Sequence, residues 1–306
     1  MKQVPIPGTE RTLPVIGQGT WGMGQSRAHR TRDILALRLG ISLGMTLIDT
    51  AEYYATGGAE EVVGEAVADC RDKVYLVTKV WPSHAGYDDA LDAVRGSLRR
   101  LRTDHIDAVL LHWPTRSVPL VDTFRAFSEL QTQGAIGCFG VSNFTLRWLR
   151  AAEAARPVFN QVPYSLRNRR VENAILPYAH THGQIVMAWS PLGHGRMRAW
   201  AGYPALAAIA ALRGVTPQQV ALAFLTARPN VLAIPKAVTP DHVRSNAAAG
   251  DLDLAPEDLA RLDAAFPRSP QAGLPLLPPY DAFFRLAWWA GRLQGRGAAS
   301  PLSLID

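Results

Sequence analysis

At 306 residues the chain exceeds one typical domain, although a parallel β/α barrel uses this length as a single unit. Its 48% apolar content suits a globular protein with a large core, and 32 basic against 26 acidic residues give a charge of +6 that permits an anionic ligand. The basic residues are scattered rather than striped, so no nucleic acid is expected, and with neither a signal-type core nor a membrane span the expected location is cytoplasmic.

In chain order, "VPIPGTERTLPV" reads as a hairpin turning at Pro7-Gly8, placed to plug the bottom of a barrel. Short apolar runs then recur at 15–21, 46–51, 74–80, 107–112, 136–143, 159–163, 185–191 and 231–236. Helical-period stretches lie near 30–43, 59–69, 88–101, 120–133, 145–155, 171–182, 204–227 and 239–249. Continuous apolar runs without alternation indicate parallel strands buried on both faces. Eight such pairs predict an α/β fold, a (β/α)8 TIM barrel with an N-terminal hairpin. The rival is a doubly wound open sheet. The glycine-rich "GQGTWGMG" lacks that fold's acidic partner about 20 positions on at a second strand end.

Thr216 before Pro217, and Thr239 before Pro240, read as helix N-caps with proline at the first helical position. Glu60 and Glu61 open the second helix, where negative charge suits the dipole. Cys70 and Cys138, 68 positions apart, read as buried free thiols in a reducing compartment. The barrel is expected to occupy 1–265. An irregular tail, 266–306, carries Phe283, Phe284, Trp288 and Trp289 as a pocket cap or an interaction segment.

Active sites of such barrels sit at the C-terminal face, so polar residues where apolar strands finish are the candidates. These are Asp49, Lys79, His112, Ser142, Asn143, Gln161, Ser190 and Lys236, with Tyr54 five residues beyond Asp49. Any one alone reads as a capping or hydrogen-bonded residue. Together, Asp, Tyr, Lys and His suggest specific chemistry. A nearby ammonium lowers a phenol's pKa, a carboxylate keeps that ammonium charged, and an imidazole places a reacting oxygen. The set would stabilise an alkoxide forming from a carbonyl. No metal is implied, because no histidine pair has zinc-ligand spacing with a third ligand, and His180 and His182 read as solvent-facing at a helix end.

The chain resembles the aldo-keto reductase family over roughly residues 10 to 265. The matching stretches are "DTAEYYATGGAEEVVGEAV", "LVTKVWP", "IDAVLLHWP", "GAIGCFGVSNF", "FNQVPYS", "MAWSPLGHG" and "VLAIPKAVTPDHVRSN", in that order. The resemblance implies reduction of aldehydes or ketones, with Tyr54 as general acid, Asp49 and Lys79 tuning it, and His112 orienting the carbonyl. It also implies a nicotinamide cofactor. Ser142, Asn143 and Gln161 would meet the carboxamide, Trp189 would stack on the ring, and Ser190 and Leu192 would follow in the same wall. Lys236 would meet the 2′-phosphate of NADPH, and Asn246 is retained.

The pattern is broken at His242, where the family commonly has arginine. Ala237 and Ser245 replace a frequent serine and glutamate. Imidazole is only partly charged near neutrality. NADPH is therefore expected with weakened preference over NADH, and Arg244 is the residue that could stand in. Trp21, Trp81 and Trp113 are expected to wall an apolar substrate pocket beside Tyr53, suited to a small-molecule carbonyl. The expected assembly is a monomer or weak homo-oligomer. Two other readings compete: a barrel aldolase using Lys79 or Lys236 as a Schiff-base nucleophile, and a cofactor-binding regulatory or sensor protein.

Overall fold

The computed structural model describes residues 1–268. The tail cluster at 283–289 lies outside the described residues.

A hairpin comes first: β1 (Gln3–Pro5) pairs antiparallel with β2 (Thr12–Pro14), placing Val4 opposite Leu13. Gly8, at φ 75°, supplies the left-handed turn residue that a side chain would disfavour. Arg11 Nη1 donates to Asp107 Oδ1 at 2.8 Å, and Asp107 is the second residue of a barrel strand. The hairpin therefore lies at the strands' N-terminal ends, opposite the candidate site.

The barrel strands follow in order: β3 (Gln18–Gly19), β4 (Leu47–Asp49), β5 (Tyr75–Val80), β6 (Ile106–Leu111), β7 (Ile136–Ser142), β8 (Phe159–Pro163), β9 (Ile185–Trp189) and β10 (Val231–Ala233). Each pairs in parallel with its chain neighbour. A parallel bridge between Ile16 and Ala233, with Gly17 N donating to Ala233 O at 2.8 Å, closes the ring. The fold is the expected (β/α)8 barrel. In β5 and β6 every residue is buried, which is why these strands read as unbroken apolar runs. The first and last barrel strands are shorter than expected: the runs 15–21 and 231–236 narrow to β3 and β10, with Ala233 N donating to Val15 O at 2.9 Å and Gly19 N to Pro235 O at 3.2 Å where the two runs meet.

Around them lie α1 (Arg30–Ser42), α2 (Gly58–Val67), α3 (Tyr87–Leu101), α4 (Leu120–Thr132), α5 (Leu146–Ala151), α6 (Ile175–Thr181), α7 (Tyr203–Arg213), α8 (Pro217–Thr226), α9 (Pro240–Ala249) and α10 (Pro256–Ala265). α3 shows the logic of the layer. Ala90, Leu91, Val94 and Leu101 are buried on one face, with Asp88 and Asp89 in the first turn and Arg99 and Arg100 in the last.

The single helix expected over 204–227 is two helices meeting at 97°. Gly214 at φ 65° ends α7, and Thr216 with Gln219 forms the capping box that starts α8. Thr239 precedes Pro240 as expected, but its side chain makes no capping bond. The stretches 145–155 and 171–182 each divide into an α-helix and a 3-10 turn. α10 was not anticipated; it is held by Arg213 Nε donating to the buried Asp258 at 2.8 Å. Both cysteines are half-buried rather than buried, and Cys138 Sγ lies 3.4 Å from Tyr75 Oη. Among the described residues no single helix is long and apolar enough to cross a membrane.

Candidate active site

Three consecutive strands deliver the polar cluster. Asp49 closes β4, Lys79 sits one residue before the end of β5, and His112 follows β6 with its N–H bonded to Val80 O. Lys79 is fully buried, and its Nζ donates to Asp49 at 2.8 Å, to Thr50 O at 2.7 Å and to Tyr54 Oη at 3.2 Å. Tyr54 opens a tight turn, Tyr54–Gly57, in which Ala55 and Thr56 adopt left-handed backbone at φ 51° and 54°. That turn brings the phenol back over the strand ends.

Aromatic rings fix the cluster from above. Trp21 meets Tyr54 edge-on at 4.9 Å, Trp81 meets His112 edge-on at 5.0 Å, and Tyr53 stacks on Trp81 at 4.0 Å. Trp21, Trp81, Trp113 and Tyr53 all line one cleft of about 940 Å³, together with Asp49, Tyr54 and His112. The three indoles expected at the pocket are there.

Burial governs the protonation states. It pushes the Tyr54 phenol well above its ordinary 10, and the Asp49 charge adds to the effect. Lys79, expected to favour the phenolate, lies within hydrogen-bond distance of the phenol at 3.2 Å. Burial also lowers the Lys79 ammonium, opposed by Asp49 and by a second carboxylate, Glu60. It raises the Asp49 carboxyl, opposed by Lys79 and Gln161. His112 falls well below 6.5, through burial and then through Lys79, so its imidazole is neutral at ordinary pH.

The second wall of the cleft holds Ser142, Asn143, Gln161, Trp189, Ser190, Leu192, Lys236, His242 and Asn246. Trp189 Nε1 donates to Asn143 Oδ1 at 3.0 Å, which fixes the indole face. Asn143 Nδ2 donates to His112 O and to Ser142 Oγ, each at 3.0 Å, and Ser142 Oγ donates to Gln161 O at 3.0 Å. These side chains brace one another, and Gln161 Nε2 is engaged with Asp49 at 2.7 Å. What they leave for a ligand is mainly acceptor capacity. Arg244 is not among the lining residues. It sits two positions beyond His242 on α9, about 200° round the helix, and is exposed.

Several lining residues were not found from the sequence. Gln25, His194, Arg198 and Tyr203 come from loops or helix starts after strands, where no apolar period marks them. Thr216 and Ser245 share a hydroxyl hydrogen bond at 3.1 Å and join α8 to α9 at the cleft edge. Glu52 accepts from Trp81 N at 2.7 Å and contacts His84 Nδ1 at 2.9 Å, holding the wall that carries Trp81.

Comparison with known proteins agrees with this geometry. Residues 15–266 match the profile of the Aldo/keto reductase family. The chain is 44% identical over 262 residues to methylglyoxal reductase YeaE of Escherichia coli (strain K12), covering 84% of this chain and 92% of that relative. It superposes on a Klebsiella pneumoniae aldo/keto reductase crystallised with NADP and acetate at a TM-score of 0.85 and 43% identity, covering 89% of this chain and 98% of that one. A second Klebsiella pneumoniae aldo-keto reductase structure, with NADPH, gives a TM-score of 0.86 at 42% identity, covering 90% and 100%.

Proposed function

Because the chain belongs to the aldo/keto reductase family and is a carbonyl-reducing oxidoreductase, we propose that its cleft binds NADPH and that Tyr54 supplies the proton for reduction of small aldehydes and ketones. The observation that carries the reading is the buried chain Asp49–Lys79–Tyr54, with contacts of 2.8 and 3.2 Å, ending on a phenol that lines the cleft.

The donor set suits the cofactor. Trp189 offers an indole face, Asn143 and Gln161 offer amide oxygens beside it, and Lys236 places an ammonium in the same cleft. These match a flat ring bearing an amide, and a distant phosphate. When bound, the cofactor supplies the hydride that adds to the carbonyl carbon. The chain's own groups do the rest. Tyr54, kept protonated by burial, gives its proton to the carbonyl oxygen, and the Lys79 bond already in place steadies the phenolate left behind. Asp49 and the Thr50 carbonyl hold Lys79 for that task. His112, neutral and with Nδ1 buried without a partner, has Nε2 left to bond the substrate oxygen. The indoles of Trp21, Trp81 and Trp113 keep water away from the reacting atoms.

Likeness to a methylglyoxal reductase supports short 2-oxoaldehydes as the substrate class. The free cysteines fit a cytoplasmic enzyme. A Schiff-base role for Lys79 is disfavoured, since three partners hold its fully buried nitrogen. The test is NADPH oxidation with methylglyoxal and an aromatic aldehyde, comparing the parent protein with Tyr54→Phe. Loss of about 10²- to 10⁴-fold in kcat, with cofactor affinity kept, is expected of a general acid. Full turnover in Tyr54→Phe overturns the assignment.

A further inference from the structure

Glu60 is a glutamate with no solvent exposure, which is rare unless the carboxylate is paired. Its position in the first turn of α2 is one where negative charge suits the helix dipole. The side chain turns inward. Oε1 accepts from Thr78 Oγ1 at 2.5 Å, and Oε2 accepts from Arg100 Nε at 2.6 Å. Arg100 Nη2 also bonds Ser97 Oγ at 3.2 Å.

Thr78 immediately precedes Lys79 on β5, and neighbouring strand side chains point to opposite faces. Glu60 therefore meets the outer face of the strand whose inner face presents Lys79. The same Arg100 serves the Tyr54 turn. Gly57, at φ 91°, closes that turn, and a Cβ there would fall 2.5 Å from Arg100 Cδ. The arginine stem thus lies against the backbone that positions Tyr54.

We propose that Glu60 is a positioning residue for the reaction: clamped between Thr78 and Arg100, it holds the Tyr54 turn against β5 and supplies a second negative charge behind Lys79. The inference rests on the functional reading above. The charged and titratable groups around Lys79 are Asp49 from β4, Tyr54 from the following turn and His112 beyond β6, while Glu60 faces Arg100 from α3. Burial alone disfavours the Lys79 ammonium, and Glu60 adds to Asp49 in opposing that.

The test uses the full chain with NADPH. Glu60→Gln keeps the shape and loses the charge. It should move the alkaline fall of kcat down by about one pH unit, which lowers kcat about tenfold at pH values on the parent's own alkaline limb. NADPH affinity, read by tryptophan quenching, should stay within about twofold, since Glu60 does not line the cleft. Glu60→Asp should restore the alkaline limb even if its melting temperature falls as far as that of Glu60→Gln. Replacing both members of a buried pair is better tolerated than breaking it, so the double variant E60M/R100M gives the same readout if E60Q does not fold. An alkaline limb unmoved in E60Q, or in the double variant, overturns the proposal even if stability falls. Tyr54→Phe in parallel separates the two readings: lost turnover there with an unmoved limb in E60Q overturns the Glu60 role alone, and retained turnover there overturns the reading beneath it.

Discussion

Gln161 Nε2 donates to Asp49 Oδ1 at 2.7 Å across 112 positions of sequence, joining the middle of β8 to the end of β4 inside the barrel. One amide thereby faces two tasks. Its nitrogen restrains the carboxylate that holds Lys79, and its oxygen remains in the cleft wall. The bond also opposes the rise that burial imposes on the Asp49 carboxyl. Gln161→Met fills nearly the same volume but leaves Asp49 with one partner fewer. The expected cost at pH 7 is about 1–3 kcal/mol, the usual penalty for stranding a buried acceptor, read by urea unfolding. A loss below about 0.5 kcal/mol, as at an ordinary surface site, would show the bond to be dispensable.

His112 gives a pH dependence of definite sign. Its folded pKa lies well below 6.5, because burial and then Lys79 disfavour the imidazolium. Below 6.5 the unfolded chain takes up a proton that the folded chain refuses, so this residue's contribution is complete above 6.5 and drains away as pH falls. Compared with His112→Phe, the parent protein should lose about 1.4 kcal/mol of stability per pH unit below that point. Denaturant titrations of both proteins across the acid range check this. Parallel stability curves would mean that His112 is protonated in the folded state.

Much of the fold was legible because a barrel strand is buried on both faces. β5 and β6 show as unbroken apolar runs, and the polar residues that end such runs stand out. Asp49, Lys79 and His112 emerged that way, and the structure brings them together. The corner between α7 and α8 was harder, since apolar residues continue through it; its marks are Gly214 and the Thr216 cap. β3 and β10 are shorter than the apolar runs that mark them, because the residues flanking them meet across the closing seam in isolated bonds rather than a continuous ladder.

The site was less legible where distance in sequence or orientation decides. Glu60 reads as a surface residue by type, and nothing local announces Arg100, 40 positions on, as its partner. Lysine beside tyrosine is legible from the strand ends and stands at 3.2 Å, whereas the burial that raises the phenol depends on everything packed around Tyr54. Arg244 lies outside the cleft lining, two residues along α9 from His242 and so about 200° round the helix.

That geometry yields a cofactor prediction. His242 lines the cleft from the first turn of α9, whereas Arg244 does not. An arginine at 242 would present a permanent charge and a planar fork to a phosphate, which imidazole lacks. If the 2′-phosphate of NADPH lies at this end, beside Lys236, His242→Arg should tighten NADPH binding by about tenfold, the effect of one charge-assisted contact worth ~1.4 kcal/mol. NADH, without that phosphate, should stay within about twofold, and the NADPH gain should shrink with added salt because the site is open to solvent. Arg244→Ala should leave both affinities within about twofold, as an exposed helix residue outside the cleft lining would. Fluorescence titration of the three proteins with each cofactor measures all of this. An equal gain for NADH and NADPH in His242→Arg would place the phosphate elsewhere, and a selective loss of NADPH in Arg244→Ala would return that role to Arg244.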